Sequence, residues 1–302
     1  MALKQVKNKI ISTQKTGKVT KAMEAVSAVK MRKSQDRALS GKAYAEAAVR
    51  MLMKISQSKE ISDQLSKKTN DSGAHCFIVI TSDKGLAGAL NSAVLKEVDK
   101  KLSTLKKDEV EIIAFGRKAL EHYERLGYKV AESFVNVSDD VVMADVEEVA
   151  KSVLKNFNSG HYSTVSVSYQ SFISTFEQMP VLREILPLNP ATLAKMVKDI
   201  VPRSGLHSEE VQNVSGHNYT VEPSAEAVFE SLLPQLFKIM VYHSLLENKA
   251  SEHSARMVAM KNATDKSKEM VKALTIEYNK ERQAAITAEV SEITAGVQAM
   301  ST

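Results

Sequence analysis

The residues able to do chemistry are few and poorly placed for it. One cysteine, Cys76, leaves no internal disulfide and no cysteine cluster for zinc or iron–sulfur, and a lone thiol fits a reducing compartment. Of the seven histidines, His243 and His253 stand ten residues apart, not the i, i+4 spacing with which a helix presents two ligands to a metal. They read as packed or hydrogen-bonded. His75 beside Cys76 opens an apolar strand, so both read as core. No Ser, Cys or His stands in a triad context. No catalytic residue, metal or cofactor is expected.

Two segments are more suggestive. Thr81-Ser82-Asp83-Lys84-Gly85-Leu86-Ala87-Gly88 follows a strand and precedes a helix, where α/β proteins bind nucleotides. It matches neither GxGxxG nor GxxxxGK[ST], so the expectation is a tight turn with Ser82 or Asp83 capping, and an α/β nucleotide binder is the rival. Lys30-Met31-Arg32-Lys33 could face nucleic acid or anionic lipid. Residues 1–60 hold one aromatic, Tyr44, and so no stacking platform. A solvated or protein-facing basic helix is expected, for which an acidic protein surface would serve as partner.

The elements that must position these residues are legible from their spacing. The chain has 302 residues, 43% hydrophobic and 25% charged, with net charge +5. That suffices for a core, and no run approaches the roughly 18 apolar residues of a membrane span. Residues 1–60 carry fourteen Lys and Arg against four acids, a net of +10. Such a start could be a transit peptide, but Arg is absent before Arg32 and the periodic pattern continues past residue 50, so it reads as mature structure. Apolar or small residues at Val6, Ile10, Thr13 and Gly17, then Met23, Val26 and Val29, then Leu39, Ala43, Ala47, Met51 and Ile55 give helical spacing with phase slips. The polar run 66–73 marks a boundary.

From His75 the pattern alternates. Strands are expected at 75–81, 110–115, 128–134 and 162–170, helices at 86–105, 117–126 and 145–157, which together make an α/β domain with a largely parallel sheet. Residues 189–221 are a connector of unreadable structure. Glu222-Pro223-Ser224 opens a last helix. From Ile239 its seam steps by four and three through His243, Leu246, Ala250, His253, Met257, Met260, Thr264, Ser267, Val271, Leu274, Tyr278, Glu281 and Ala285.

A helix from Ser224 to about the C-terminus would extend roughly 110 Å, against a diameter near 50 Å, about the size of a compact chain of this length. It must project and needs a partner. The N-terminal helix is the obvious one, as an antiparallel hairpin on an α/β base, with boundaries 1–65, 74–215 and 222–302. The last segment has no Lys or Arg after Arg282, and Ala284, Ala285, Ile286, Ala288, Val290, Ile293, Ala295 and Val297 surround the helix. A helix apolar nearly all round expects enclosure by another protein.

These features resemble the gamma subunit family of F-type ATP synthases over essentially the whole chain. KIISTQKT with VTKAM and KMRKSQ resembles its first helix, ITSDKGLAGALN its domain signature, and EPSAEAVFESLLP, ASEHSARMVAMKNATDKSKEM and YNKERQAAITAEVSEI its last helix. The signature departs at Lys84, Ala87 and Ala89, where the family often has Arg, Cys and Gly. The resemblance implies a non-catalytic rotary central stalk, its coiled coil inside the ring of alpha and beta subunits and its Rossmann-like α/β base on the membrane c-ring with epsilon. It implies contact with the beta subunit by Met23, Arg256, Arg282, Gln283 and Thr287, and no partnership with nucleic acid. It also implies no direct insertion in the bilayer, and a peripheral place on the cytoplasmic side of a bacterial inner membrane, with a mature mitochondrial chain as the alternative.

Overall fold

The computed structural model describes residues 2–55, 73–187 and 224–300, so the expectations for 66–72 and for the connector 189–221 lie outside the described residues. Two compact units are present: Met1–Ser27 with Arg256–Thr302, and Ala28–Ala255. Two long helices, α1 (Ala2–Ile55) and the last helix, Ala225–Met300, each contribute to both units. Among the described residues no helix is long and apolar enough to cross a membrane.

The larger unit is built on five strands, β1 (Ala74–Ile80), β2 (Val110–Phe115), β3 (Lys129–Phe134), β4 (Tyr162–Phe172) and β5 (Gln178–Leu186), in the order β3-β2-β1-β4-β5. β1 to β4 are parallel and β5 is antiparallel to β4. The helices α2 (Leu90–Leu102), α3 (Arg117–Leu126) and α4 (Glu147–Asn158) separate them, which makes the last helix α5. Successive strand residues point to opposite faces, and here both faces are covered. Cys76, Ile78 and Ile80 pack with α4 and with Leu236, Phe237, Val241 and Leu245 of α5. Phe77 and Val79 pack with Val94 and Val98 of α2 and Ala119 and Tyr123 of α3. Burial on both sides is why β1 reads as an unbroken apolar run instead of an alternating one.

The structure differs from the sequence expectation in a boundary, a cap and a strand. α2 begins at Leu90 and not at 86, because Leu86 and Gly88 take positive φ (63° and 59°), which no right-handed helix admits. Nor do Ser82 and Asp83 cap α2. Asp83 Oδ1 instead accepts the amide of Arg117, the first residue of α3, while Thr81 Oγ1 accepts that of Ala119. β5 was not expected at all. Pro180 breaks the donor row that marks a strand, and only an edge position tolerates it. Gly116 joins β2 to α3 at φ 88°, where a Cβ would lie 2.3 Å from Thr81 O, so only glycine fits.

The smaller unit is a pair of antiparallel helical segments. Thr20 Oγ1 lies 2.7 Å from Thr264 Oγ1, Gly17 lies against Ser267, and Thr13 reaches Met270. The seam of α5 is buried or half-buried at every expected position from Ile239 to Glu281, and Ala285 is exposed. Among the described residues of α1, up to Ser34, the expected phase slip is absent. Leu3, Val6, Ile10, Thr13, Gly17, Thr20, Glu24, Ser27, Met31 and Ser34 form one unbroken series of threes and fours, all buried or half-buried. Val26 and Val29, expected in the seam, are 54% and 68% exposed.

Small hydroxyl residues hold the seam because the helices run close: of Thr20 and Thr264 one hydroxyl donates to the other, which in turn donates to a carbonyl of its own helix (Gly17 O or Met260 O), and Ser267 donates to Ala263 O. That removes the cost of burying them. A Cβ at Gly17 would stand 3.3 Å from Ser267 Cβ, so Gly17→Leu must force the helices apart. Its expected cost is roughly 1–3 kcal/mol, whereas Val26→Ala should stay within about 0.5 kcal/mol. Thermal unfolding followed by circular dichroism compares them, and equal effects would contradict this packing.

Candidate functional site

The candidate residues lie along the helices. Met23 is half-buried, whereas Arg282, Gln283 and Thr287 are exposed, with Thr287 Oγ1 bonded to Gln283 O of its own helix. Arg256 is only 8% exposed and so differs from the other four. From Arg282 to Met300 every residue of α5 is exposed. The large apolar ones, Ile286, Val290, Ile293, Val297 and Met300, recur at steps of four and three. They therefore share one stripe, with alanines on the other faces, and apolar surface does not surround the helix evenly as expected.

Charge along α1 is less available than composition suggests. In the larger unit, Lys30 Nζ lies 2.6 Å from Asp139 Oδ2. Lys33 Nζ and Arg37 Nη1 each lie 2.8 Å from Asp140 Oδ1. From α5, His253 Nε2 lies 3.1 Å from Asp139 Oδ1 and Lys249 Nζ 3.7 Å from the same atom. Met31 is 7% exposed. The run Lys30-Met31-Arg32-Lys33 is thus engaged by the chain's own residues or buried at three of its four positions, which weakens the nucleic-acid and lipid readings. His253 is hydrogen-bonded, as expected of a seam histidine, and His243 pairs with Glu247 at 3.3 Å.

Asp139, Asp140 and Lys249 escaped the sequence reading. Their only signal was an acid pair in VSDDVV, with no sequence-local cation to suggest its partners. His253, against the opposing effect of burial, and then Lys30 and Lys249 hold the Asp139 carboxyl well below the usual range. Lys33 and Arg37 lower Asp140 likewise.

The remaining clusters are turned inward. Ser82 N donates to Asn91 Oδ1 and Ser82 Oγ to Lys84 O, while Asp83 Oδ1 also accepts from Asn136 N. The amide and hydroxyl of Ser82 and the carboxylate of Asp83 are thus engaged within the protein. At the other end of the strands, burial opposes the charged form of Glu111, but hydrogen bonds from Lys129, Tyr162 and His161 outweigh it and lower its proton affinity. Burial, with Glu111 beside it, pushes the Cys76 thiol up, which makes it an inert core residue. Among the described residues no His, Cys, Asp or Glu group could hold a metal.

A carboxyl that binds its proton less tightly folded than unfolded stabilises the fold above its unfolded value, near pH 4, and loses that contribution as pH falls. Asp139→Asn is therefore expected to lower the melting temperature at pH 7, with the difference shrinking progressively as pH falls below about 5. Melting curves at three pH values measure this. A difference independent of pH would contradict the ionised cluster.

Comparison with known proteins agrees with this geometry. The family model described as ATP synthase matches residues 2–300. The ATP synthase gamma chain of Pelotomaculum thermopropionicum is 33% identical over 299 residues, covering 99% of each chain. That of Cupriavidus pinatubonensis is 37% identical over 299 residues, covering 98% of this chain and 99% of the relative. Among solved structures, a chain of the Euglena gracilis mitochondrial ATP synthase (OSCP/F1/c-ring) aligns with TM-score 0.65 and 19% identity, covering 99% of this chain and 94% of that one. A chain of the Tetrahymena thermophila mitochondrial ATP synthase (central stalk/c-ring) aligns with TM-score 0.56 and 24% identity, covering 81% and 99%. At these identities the structures bear on the fold, a mixed α/β sheet unit with long terminal helices. The sequence matches run nearly end to end on both sides, and by them the chain belongs to the ATP synthase family, among its gamma chains.

Proposed function

We propose that this chain is the central rotary shaft of an F-type ATP synthase. It couples ion-driven turning of a membrane c-ring to conformational change in a ring of alpha and beta subunits, and does no catalysis itself. The observation that carries the proposal is the match to gamma chains over 99% of both lengths. The antiparallel pairing at Thr20 and Thr264 and the exposed surface from Arg282 to Met300 support it. On this reading 1–65 and 222–302 form the shaft and 74–215 the base, which meets epsilon and the c-ring. The protein is peripheral on the cytoplasmic side of a bacterial inner membrane. Coupling of this kind needs an element with distinct contacts in each state, and the two faces of α5 supply asymmetry. Copurification of a tagged chain from membranes tests the proposal. Alpha, beta and epsilon should accompany it, and recovery alone or with nucleic acid would refute it.

Arg282, Gln283, Thr287 and Met23 are proposed to touch beta, with Arg256 in a double role because it is buried. Arg256→Ala should lower the melting temperature of the isolated chain, at a cost of roughly 1–3 kcal/mol, as well as turnover of the complex. Gln283→Ala should lower turnover while changing stability by less than about 0.5 kcal/mol. Equal effects of both substitutions on stability would contradict this division.

The tip is proposed to turn inside a collar of the alpha and beta subunits. A charge added there would be desolvated and drawn to whichever beta subunit presents an acid, deepening one angular position. Ala288→Arg is expected to slow rotation or impair assembly more than Ala288→Ser. Turnover of assembled complexes equal to the unmodified one would count against the collar.

A further inference from the structure

Within the larger unit, the described residues of the two long helices make different kinds of contact. α5 contributes Leu236, Phe237, Ile239, Met240, Val241, Leu245 and Leu246 to the apolar cluster it shares with β1, β4 and α4. Among the described residues of α1, none joins either apolar cluster of the sheet. From residue 28 to residue 37 that helix buries Met31 and Ser34 and sets Lys30, Lys33 and Arg37 on the Asp139 and Asp140 carboxylates.

Those carboxylates sit on the loop that follows β3, and the loop is itself tied down. Asn136 N donates to Asp83 Oδ1. Val141 is buried in the sheet cluster. Tyr242 donates to Val141 O and Lys249 to Val137 O. Asp139 is shared by both helices, through Lys30 of α1 and through His253 and Lys249 of α5, whose side chains are only 4% and 9% exposed. Apolar contact is non-directional, so it opposes separation more than sliding. Charge-assisted hydrogen bonds from a fixed loop have direction, and they grip two successive turns of α1.

We propose that the Asp139–Asp140 loop is a clasp that transmits torque: its carboxylates are positioning residues that keep α1 in place on the base when the shaft works under load. This rests on the shaft reading above. Without load the seam with α5 keeps α1 in place, and the clasp matters little. Against an opposing ion gradient, loss of the clasp lets the helix shift, so that ATP is spent without a full stroke reaching the membrane ring.

The test uses the assembled synthase in inverted vesicles, with ATP hydrolysis and ions pumped per ATP read at zero and at rising gradient. The double variant Asp139→Asn with Asp140→Asn should hydrolyse ATP within about twofold of wild type without a gradient, and pump about threefold fewer ions per ATP as the gradient builds. Asp139→Glu, which keeps the charge, should retain about half or more of the wild-type ratio. Asp265→Asn, which removes an exposed acid paired with Lys268 on the smaller unit, should change nothing. If the double variant does not assemble, Asp140→Asn alone, at a carboxylate 50% exposed, is held to the same loss under load. An unchanged ratio in the variant, an equal fall in Asp265→Asn, or no recovery with Asp139→Glu would overturn the clasp. Wild-type vesicles that hydrolyse ATP without pumping would overturn the shaft reading itself.

Discussion

The close approach of α1 and α5, near enough for Thr20 and Thr264 to share a hydrogen bond at 2.7 Å, is the constraint on which the other features depend. It demands small side chains on both helices, hence Gly17 and Ser267 where a looser coiled coil would carry leucine. Small seam residues bury little apolar area, so the pair gains less from the hydrophobic effect than a leucine seam would. What the seam lacks in area it makes up in satisfied hydroxyls at Thr20, Thr264 and Ser267. The outcome is a narrow pair whose outer faces carry Val19, Val26 and Ile276 in the open, at 59%, 54% and 72% exposure. Exposed apolar residues at helical spacing, among lysines, are what a surrounding protein would need.

Charge has two separate duties. Composition alone gives α1 a uniform basic character, but Lys30, Lys33 and Arg37 are committed to Asp139 and Asp140, while Lys15, Lys18 and Lys21 remain exposed. The first group ties the helix to the loop after β3, and the second is available to attract an acidic partner. The half-exposed pairs are worth little singly. His253 and Lys249 raise the weight of Asp139 because they stand in an almost buried setting, where screening is slight.

How far the sequence could be read follows from the range of each interaction. Strands β1, β2 and β4 and helix α3 were legible because local apolar spacing and glycine boundaries define them, and the α5 seam because a four-three rhythm survives over many turns. The α1 seam was read correctly from Val6 to Gly17 and misread beyond it, since Thr20, Ser27 and Ser34 look polar in a hydropathy pattern yet are buried. β5 was invisible because its pairing with β4, not its own composition, makes it a strand. The clasp was invisible for a similar reason: Asp139 meets Lys30 and His253 more than a hundred residues away in either direction. Of the proposed beta contacts, the family resemblance supplied the positions, and no local rule distinguishes exposed Gln283 from buried Arg256.

The central claim is that this chain turns within its complex, and rotation observed directly is its sharpest test. Cys76 is buried with its thiol pushed up, so a cysteine placed at exposed Lys101 of α2 would take a probe selectively. With the alpha and beta ring fixed to a surface and ATP added, a particle on Lys101→Cys should rotate in one direction in discrete steps and stop when ATP is removed. ATP turnover by the same immobilised complexes with a stationary particle would contradict the account.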